Sequence, residues 1–169
     1  MKKYGKTAFA GIFTALCFIF LFIGSLFQTL DLSAAALGSI VILIAYVELG
    51  TAYSIGVYLS ASILSLLLLP YKSAAIVFAF FAGFYPVLKV TLNKIKPIPL
   101  SYAVRILCFN VFLTLAILAA TFIFHVEAEY LVFEIILYLL CNVTFVVYDL
   151  ALERVAVYYV NKIRPKLFK

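Results

Sequence analysis

Charge is what this sequence lacks most. Asp, Glu, Lys and Arg supply 12% of its 169 residues, about half the share found in soluble domains. There is no Gly-x-x-x-x-Gly-Lys-Ser/Thr phosphate loop, no His-Glu-x-x-His pair and no Gly-x-Ser-x-Gly elbow, so none of these routes to nucleotide hydrolysis, zinc chemistry or serine catalysis is available. The one histidine, His125, sits in a polar stretch with no ligand-spaced neighbours. Cys17, Cys108 and Cys141 are odd in number and lie inside apolar runs, which suits small core hydrophobes rather than a disulfide framework or a metal site. No catalytic residue, metal or cofactor is assigned. No internal repeat is visible, which argues against an inverted-repeat transporter.

What is present is apolar. Hydrophobic residues make up 67% of the chain, and the mean hydropathy is +1.22. At about 20 residues per span of a hydrocarbon core roughly 30 Å thick, the length leaves room for six passes, short loops and no soluble domain. The reading is an all-α integral membrane protein, a single transmembrane domain over 1–169. Its six helices are expected at about 7–27, 32–47, 52–69, 73–93, 100–124 and 130–160. Basic Lys2, Lys3 and Lys6 precede the first run, which is too long for a signal-peptide core and is read as a retained helix. Gly83 and Pro86 predict a kink or early break near the end of the fourth helix, and Pro97 and Pro99 stop any continuation beyond it. The sixth helix loses apolar character around Asp149 and Glu153 and is expected to leave the bilayer as an amphipathic extension.

Orientation follows from the cations, which collect on the cytoplasmic side of short loops. With the N-terminus inside, every Lys and Arg except Lys72 falls at the inner face. Asp31, Glu127, Glu129 and Glu134 fall toward the outer one. Both termini are then cytoplasmic in a multi-pass cell-membrane protein, and the net charge of +6 describes an inner surface suited to the anionic lipid bilayer rather than to nucleic acid.

Ionisable residues inside spans are costly and mark either paired structural ions or functional sites. Glu48, Lys89, Arg105 and Asp149 lie toward the inner face and are read as a structural ion-pair network. Glu134, Tyr138 and Asn142 recur every four residues on the sixth helix, and Ser54, Tyr58, Ser62 and Ser65 form a similar stripe on the third. Such stripes either glue helices together or line a cavity. Asp31, Tyr58, Ser62, Ser65, Glu134, Tyr138 and Asn142 are therefore the candidate ligand-binding residues. Thr7, Gly11 and Ala15, with Ala10 and Thr14 beside them, form a small-residue row on the first helix that permits close approach of another helix. That row is the candidate partner interface.

Six short helices, a small-residue row on the first and no nucleotide motif resemble the substrate-binding S component of energy-coupling factor (ECF) transporters. Glu48-Leu49-Gly50, Ser65 to Pro70, Phe80 to Lys89, and Arg105 with Phe109-Asn110 resemble a group of S-component-like membrane proteins from Firmicutes. The resemblance implies capture of a vitamin-like small molecule and its delivery against a transmembrane coupling subunit and two ATPases. The family's Ala-x-x-x-Ala docking row would correspond to Gly11 and Ala15, or to Ala10 and Thr14. A different reading is a non-transporting scaffold similar to the cell-shape protein MreD, which needs no cavity.

Overall fold

The computed structural model describes residues 3–93, 96–124 and 131–167, and these contain helices and no strand. The long helices are α1 Lys3–Leu26, α2 Asp31–Leu49 and α3 Thr51–Leu68. Short α4 Ser73–Val77 runs through a π-helical turn, Phe78–Ala82, toward α5 Tyr85–Leu92. Then come α6 Ile98–Phe124, α7 Leu131–Tyr158, a second π-helical turn Tyr159–Ile163, and α8 Arg164–Leu167. Among the described residues, five segments are long and apolar enough to cross a membrane: Gly5–Leu26, Asp31–Leu49, Thr51–Leu68, Ser73–Leu92 and Ile136–Ile163. The apolar stretch Pro99–Leu115 of α6 is shorter. Large apolar side chains stand outward in each unit, among them Ile12, Ile19 and Leu67 in one stretch of chain and Leu107, Leu139 and Val147 in another, an exposure of apolar surface that suits lipid better than water.

The chain forms two compact units. The first comprises Met1–Val90 and Arg154–Lys169, and the second is Thr91–Glu153. In the first unit α1 packs on α2 and α3, and α2 on α3, α4 and the π turn. Its core joins Cys17, Leu21, Ile42, Val57 and Phe78, all 1% exposed or less. Glycine sets how closely these helices approach. A β-carbon on Gly24 of α1 would lie 2.2 Å from the Ala34 Cβ of α2, and one on Gly38 would lie 2.9 Å from the Phe78 ring. Gly50, at φ +90°, makes the reversal between α2 and α3, a backbone state that side chains with a Cβ disfavour.

The break in the fourth span falls earlier than Pro86 predicts. Gly83 N–H donates to Phe78 O at 2.8 Å, five residues back, instead of to Ala79 O. The Ala79 carbonyl so released accepts the Tyr58 hydroxyl of α3 at 2.6 Å. Pro86 follows in the first turn of α5, where its missing N–H costs no helical hydrogen bond. Pro99 likewise sits in the first turn of α6 rather than ahead of it.

Replacing Gly24 by Ala should therefore lower stability by about 1–3 kcal/mol through overpacking. The same change at Gly56, where an added Cβ meets nothing within 4 Å, should be neutral or stabilising by up to about 1 kcal/mol. Thermal unfolding of both variants in detergent measures this. Equal responses would mean that α1 and α2 are not in close contact at Gly24.

Candidate functional site

The candidate residues divide between the two compact units. In the second unit α6 and α7 run antiparallel, so residues equally far from the 125–130 stretch meet across the seam. Three polar rungs result. At one end Arg105 Nη1 and Asp149 Oδ2 pair at 2.9 Å, with the residues 4% and 3% exposed. Next, Asn110 and Asn142 exchange side-chain amide hydrogen bonds of 2.9 and 3.0 Å. Beyond them the Thr114 and Tyr138 hydroxyls lie 2.9 Å apart. Phe109 and Phe145 stack between the first two rungs, centroids 4.3 Å apart.

Arg105 holds more than its carboxylate partner. Its Nη2 donates to Asn93 Oδ1 and to Ser101 Oγ, the latter at 3.1 Å. The Ser101 hydroxyl in turn donates to Leu92 O at 2.9 Å. Its guanidinium carbon stands 4.5 Å from the Tyr102 ring centroid. A buried ion pair offsets its desolvation only with such additional hydrogen bonds, and a guanidinium, with five donors and a flat face, can use all of these contacts together.

Glu48 finds partners near the C-terminal end of the described residues. Its carboxylate accepts from Arg164 Nε at 3.1 Å and from the Tyr159 hydroxyl at 3.2 Å, which ties the end of α2 to the C-terminal segment. Lys89 is buried in the first unit at 3% exposure. Arg164 and Tyr159 are thus partners of Glu48 that sequence reading missed.

Among the candidate ligand residues of the first unit, the Tyr58 hydroxyl is bound to the π turn. Ser65 donates back to Ser62 O at 3.0 Å and Ser54 to Thr51 O at 2.9 Å. Ser62 is buried beside them on the same face. The Tyr58, Ser65 and Ser54 hydroxyls are turned onto backbone carbonyls, the helix-packing use of such a stripe, whereas the buried Ser62 hydroxyl has no hydrogen-bond partner among the described residues. Asp31 opens α2 as its first residue and is partly buried. In the second unit, Tyr138 and Asn142 border an open hollow of about 640 Å³ whose other walls are apolar, including Ile106, Val143 and Val147. Glu134 lies on α7, but its side chain falls outside the described residues, as do His125, Glu127 and Glu129.

The small-residue row of α1 is open. Thr7, Ala10, Gly11, Thr14 and Ala15 form one wall of a groove of about 620 Å³, and Ala52, Gly56 and Ser60 of α3 form much of the other. An added Cβ would meet no atom within 4 Å at Gly11 or at Gly56. The second row, spaced by four on α3 like the first on α1, was legible in the sequence but drew no attention beside the Ser54–Ser65 stripe. Asn110 and Thr114 were also missed, because they acquire partners only when α6 and α7 are paired.

The sequence matches no family model, and no curated protein or solved structure is similar to it.

Replacing Arg105 by Ala should cost about 3–5 kcal/mol by breaking the buried pair with Asp149 and the hydrogen bonds to Asn93 and Ser101. A double replacement, Arg105→Met with Asp149→Leu, should recover most of that loss. An Asn110→Leu and Asn142→Leu cycle should give a coupling of about 0.6–2 kcal/mol, the range of interhelical hydrogen bonds in membranes. Thermal or denaturant unfolding in micelles reads each; additive Asn effects would mean that the amide pair is not formed.

Proposed function

We infer that this chain is a membrane-embedded binding and translocating subunit for a vitamin-like small molecule, energised by partner ATPases through a coupling subunit, as in the S components it resembles. It would cross the cell membrane six times with both termini cytoplasmic, and it is not itself an enzyme. The observation that carries this reading is the groove between α1 and α3. A subunit without a nucleotide motif needs a partner, and two parallel rows of small residues, unfilled along their length, offer a transmembrane helix a close backbone approach. The hollow beside Tyr138 and Asn142 has the volume of a small-molecule site, roughly 300–1,000 Å³, and the mainly apolar lining typical of one.

A non-transporting scaffold of the MreD type is the second reading, and one observation favours it. Tyr58, Ser54 and Ser65 are engaged in holding helices together, and Tyr138 and Asn142 pair with Thr114 and Asn110, which leaves fewer free polar groups for a ligand.

Pull-down of the tagged chain from its native membrane in mild detergent, with mass spectrometry of co-purifying proteins and small molecules, separates the two. Transport predicts a coupling membrane protein with ATPases, or a stoichiometric vitamin-like molecule. Gly11→Leu with Gly56→Leu should abolish partner recovery without unfolding the chain. Envelope-synthesis or cell-shape proteins with no ligand would replace the transport reading by the scaffold, and an unchanged partner set in the double variant would remove the groove from either.

A further inference from the structure

Tyr159 and Arg164 reach the same carboxylate oxygen, Oε1 of Glu48, at 3.2 and 3.1 Å. They are five residues apart, and in an α-helix, at about 100° per residue, they would point about 140° away from each other. Both face the end of α2 because the π-helical turn Tyr159–Ile163 lies between them. Arg164 N–H donates to Tyr159 O across that turn, an i→i+5 bond that takes up one extra residue and returns Arg164 to the side of the helix that carries Tyr159. Such turns are rare in helices, so a contact from outside the helix has to hold this one open. The Glu48 carboxylate is that contact. The π turn at Phe78–Ala82 is held in the same manner by the Tyr58 hydroxyl, but there Phe78 and Ala82 are buried and the turn is locked in the core. In the second turn Tyr159 is buried, whereas Val160, Asn161, Lys162, Ile163 and Arg164 are all exposed. The chain after Tyr159 can therefore turn about its axis without breaking into a packed interior.

We propose that the C-terminal segment is a strap with two registers, and that the charge on Glu48 selects between them. With the carboxylate charged, the turn stays π-helical and both Tyr159 and Arg164 are fastened to the end of α2. With that charge removed or taken by another cation, the turn tightens to α-helix and the Arg164 N–H passes from Tyr159 O to Val160 O. The chain from Arg164 onward then turns by about 100°, which carries the guanidinium off α2. Tyr159, held by its burial, stays in place. One backbone hydrogen bond replaces another, so the two registers differ chiefly in what Glu48 holds. Glu48 and Arg164 are uncovered together when the strap lets go. All of these residues belong to the first unit, and the proposal is independent of the transporter reading.

The test uses the purified full-length chain with its native cysteines replaced by Ala and a nitroxide on Lys166→Cys. Its distance is measured by electron spin resonance to a second nitroxide on Thr51→Cys and, in a separate sample, on Phe9→Cys, both exposed positions of the first unit. Glu48→Gln should change at least one of the two distances by about 2–4 Å, the scale of a 100° turn at the Cα radius of a helix, with a distribution as narrow as before. Arg164→Gln, at an exposed residue, should do the same. Deleting Asn161 removes the extra residue and sets Tyr159 and Arg164 four apart on one side of an ordinary α-helix, so in that chain Glu48→Gln should leave both distances where they were. Distances that fail to move in either substituted full-length chain, a broad distribution in place of a second narrow one, or an equal movement in the chain lacking Asn161 would each overturn the proposal. No partner subunit takes part, so such a failure leaves the pull-down result untouched.

Discussion

The second unit depends on the accommodation of one guanidinium. Arg105 is almost wholly buried, and a charge so placed is tolerated only where its donors find acceptors and its counter-charge is near. Asp149, Asn93 and Ser101 supply acceptors for its two terminal nitrogens, and the Tyr102 ring covers its flat face, from three separate stretches of chain. Their positions fix α6 against α7 in one register. A slide by one helical turn in either direction would part Asn110 from Asn142 and Thr114 from Tyr138. Apolar side chains alone would resist such a slide weakly, since Leu against Leu is much the same one turn along. The polar rungs make the alternatives unequal, the best-attested service of buried polar groups.

The first unit obtains its definition differently, from the absence of side chains. Gly24 lets α1 and α2 meet with no room for a methyl group, and Gly38 and Gly83 receive the Phe78 ring from opposite sides. Gly11 and Gly56 are chemically the same residue in the same kind of helix, yet an added Cβ there would touch nothing. What separates a closed contact from an open one is the neighbour opposite. Close backbone approach between helices serves internal cohesion on one side of α1 and leaves a vacant face on the other.

The hydrophobic runs made the positions of the long helices legible, and the four-residue spacing placed Tyr138 and Asn142 correctly on one stripe of α7. Their partners were not legible. Asn110 and Thr114 are ordinary helix residues until the hairpin geometry brings them opposite that stripe, and distance from the 125–130 stretch was the signal that would have paired them. The π turn at Phe78–Ala82 has no local sequence mark comparable to proline, so the reading assigned the break to Pro86 and left the Tyr58 hydroxyl free for a ligand. Glu48 was grouped with the cations nearest in depth, whereas its partner Arg164 lies 116 positions further along and is half exposed. Depth in a membrane can be estimated from hydropathy, but lateral neighbours cannot.

The clamp on Glu48 also bears on the order in which the chain is made. The first unit is discontinuous: residues 91–153 are synthesised between its two parts. Tyr159 and Arg164, which neutralise and hydrogen-bond the end of α2, emerge only after the whole α6/α7 hairpin. At the 5–20 residues per second typical of translation, Glu48 waits several seconds without its partners. During that interval α1 to α3 can associate through their glycine contacts, while the end of α2 keeps an unneutralised carboxylate. Tyr159 and Arg164 thus act as a closing stitch on the first unit, fastened to the end of α2 only after every long helix has been made.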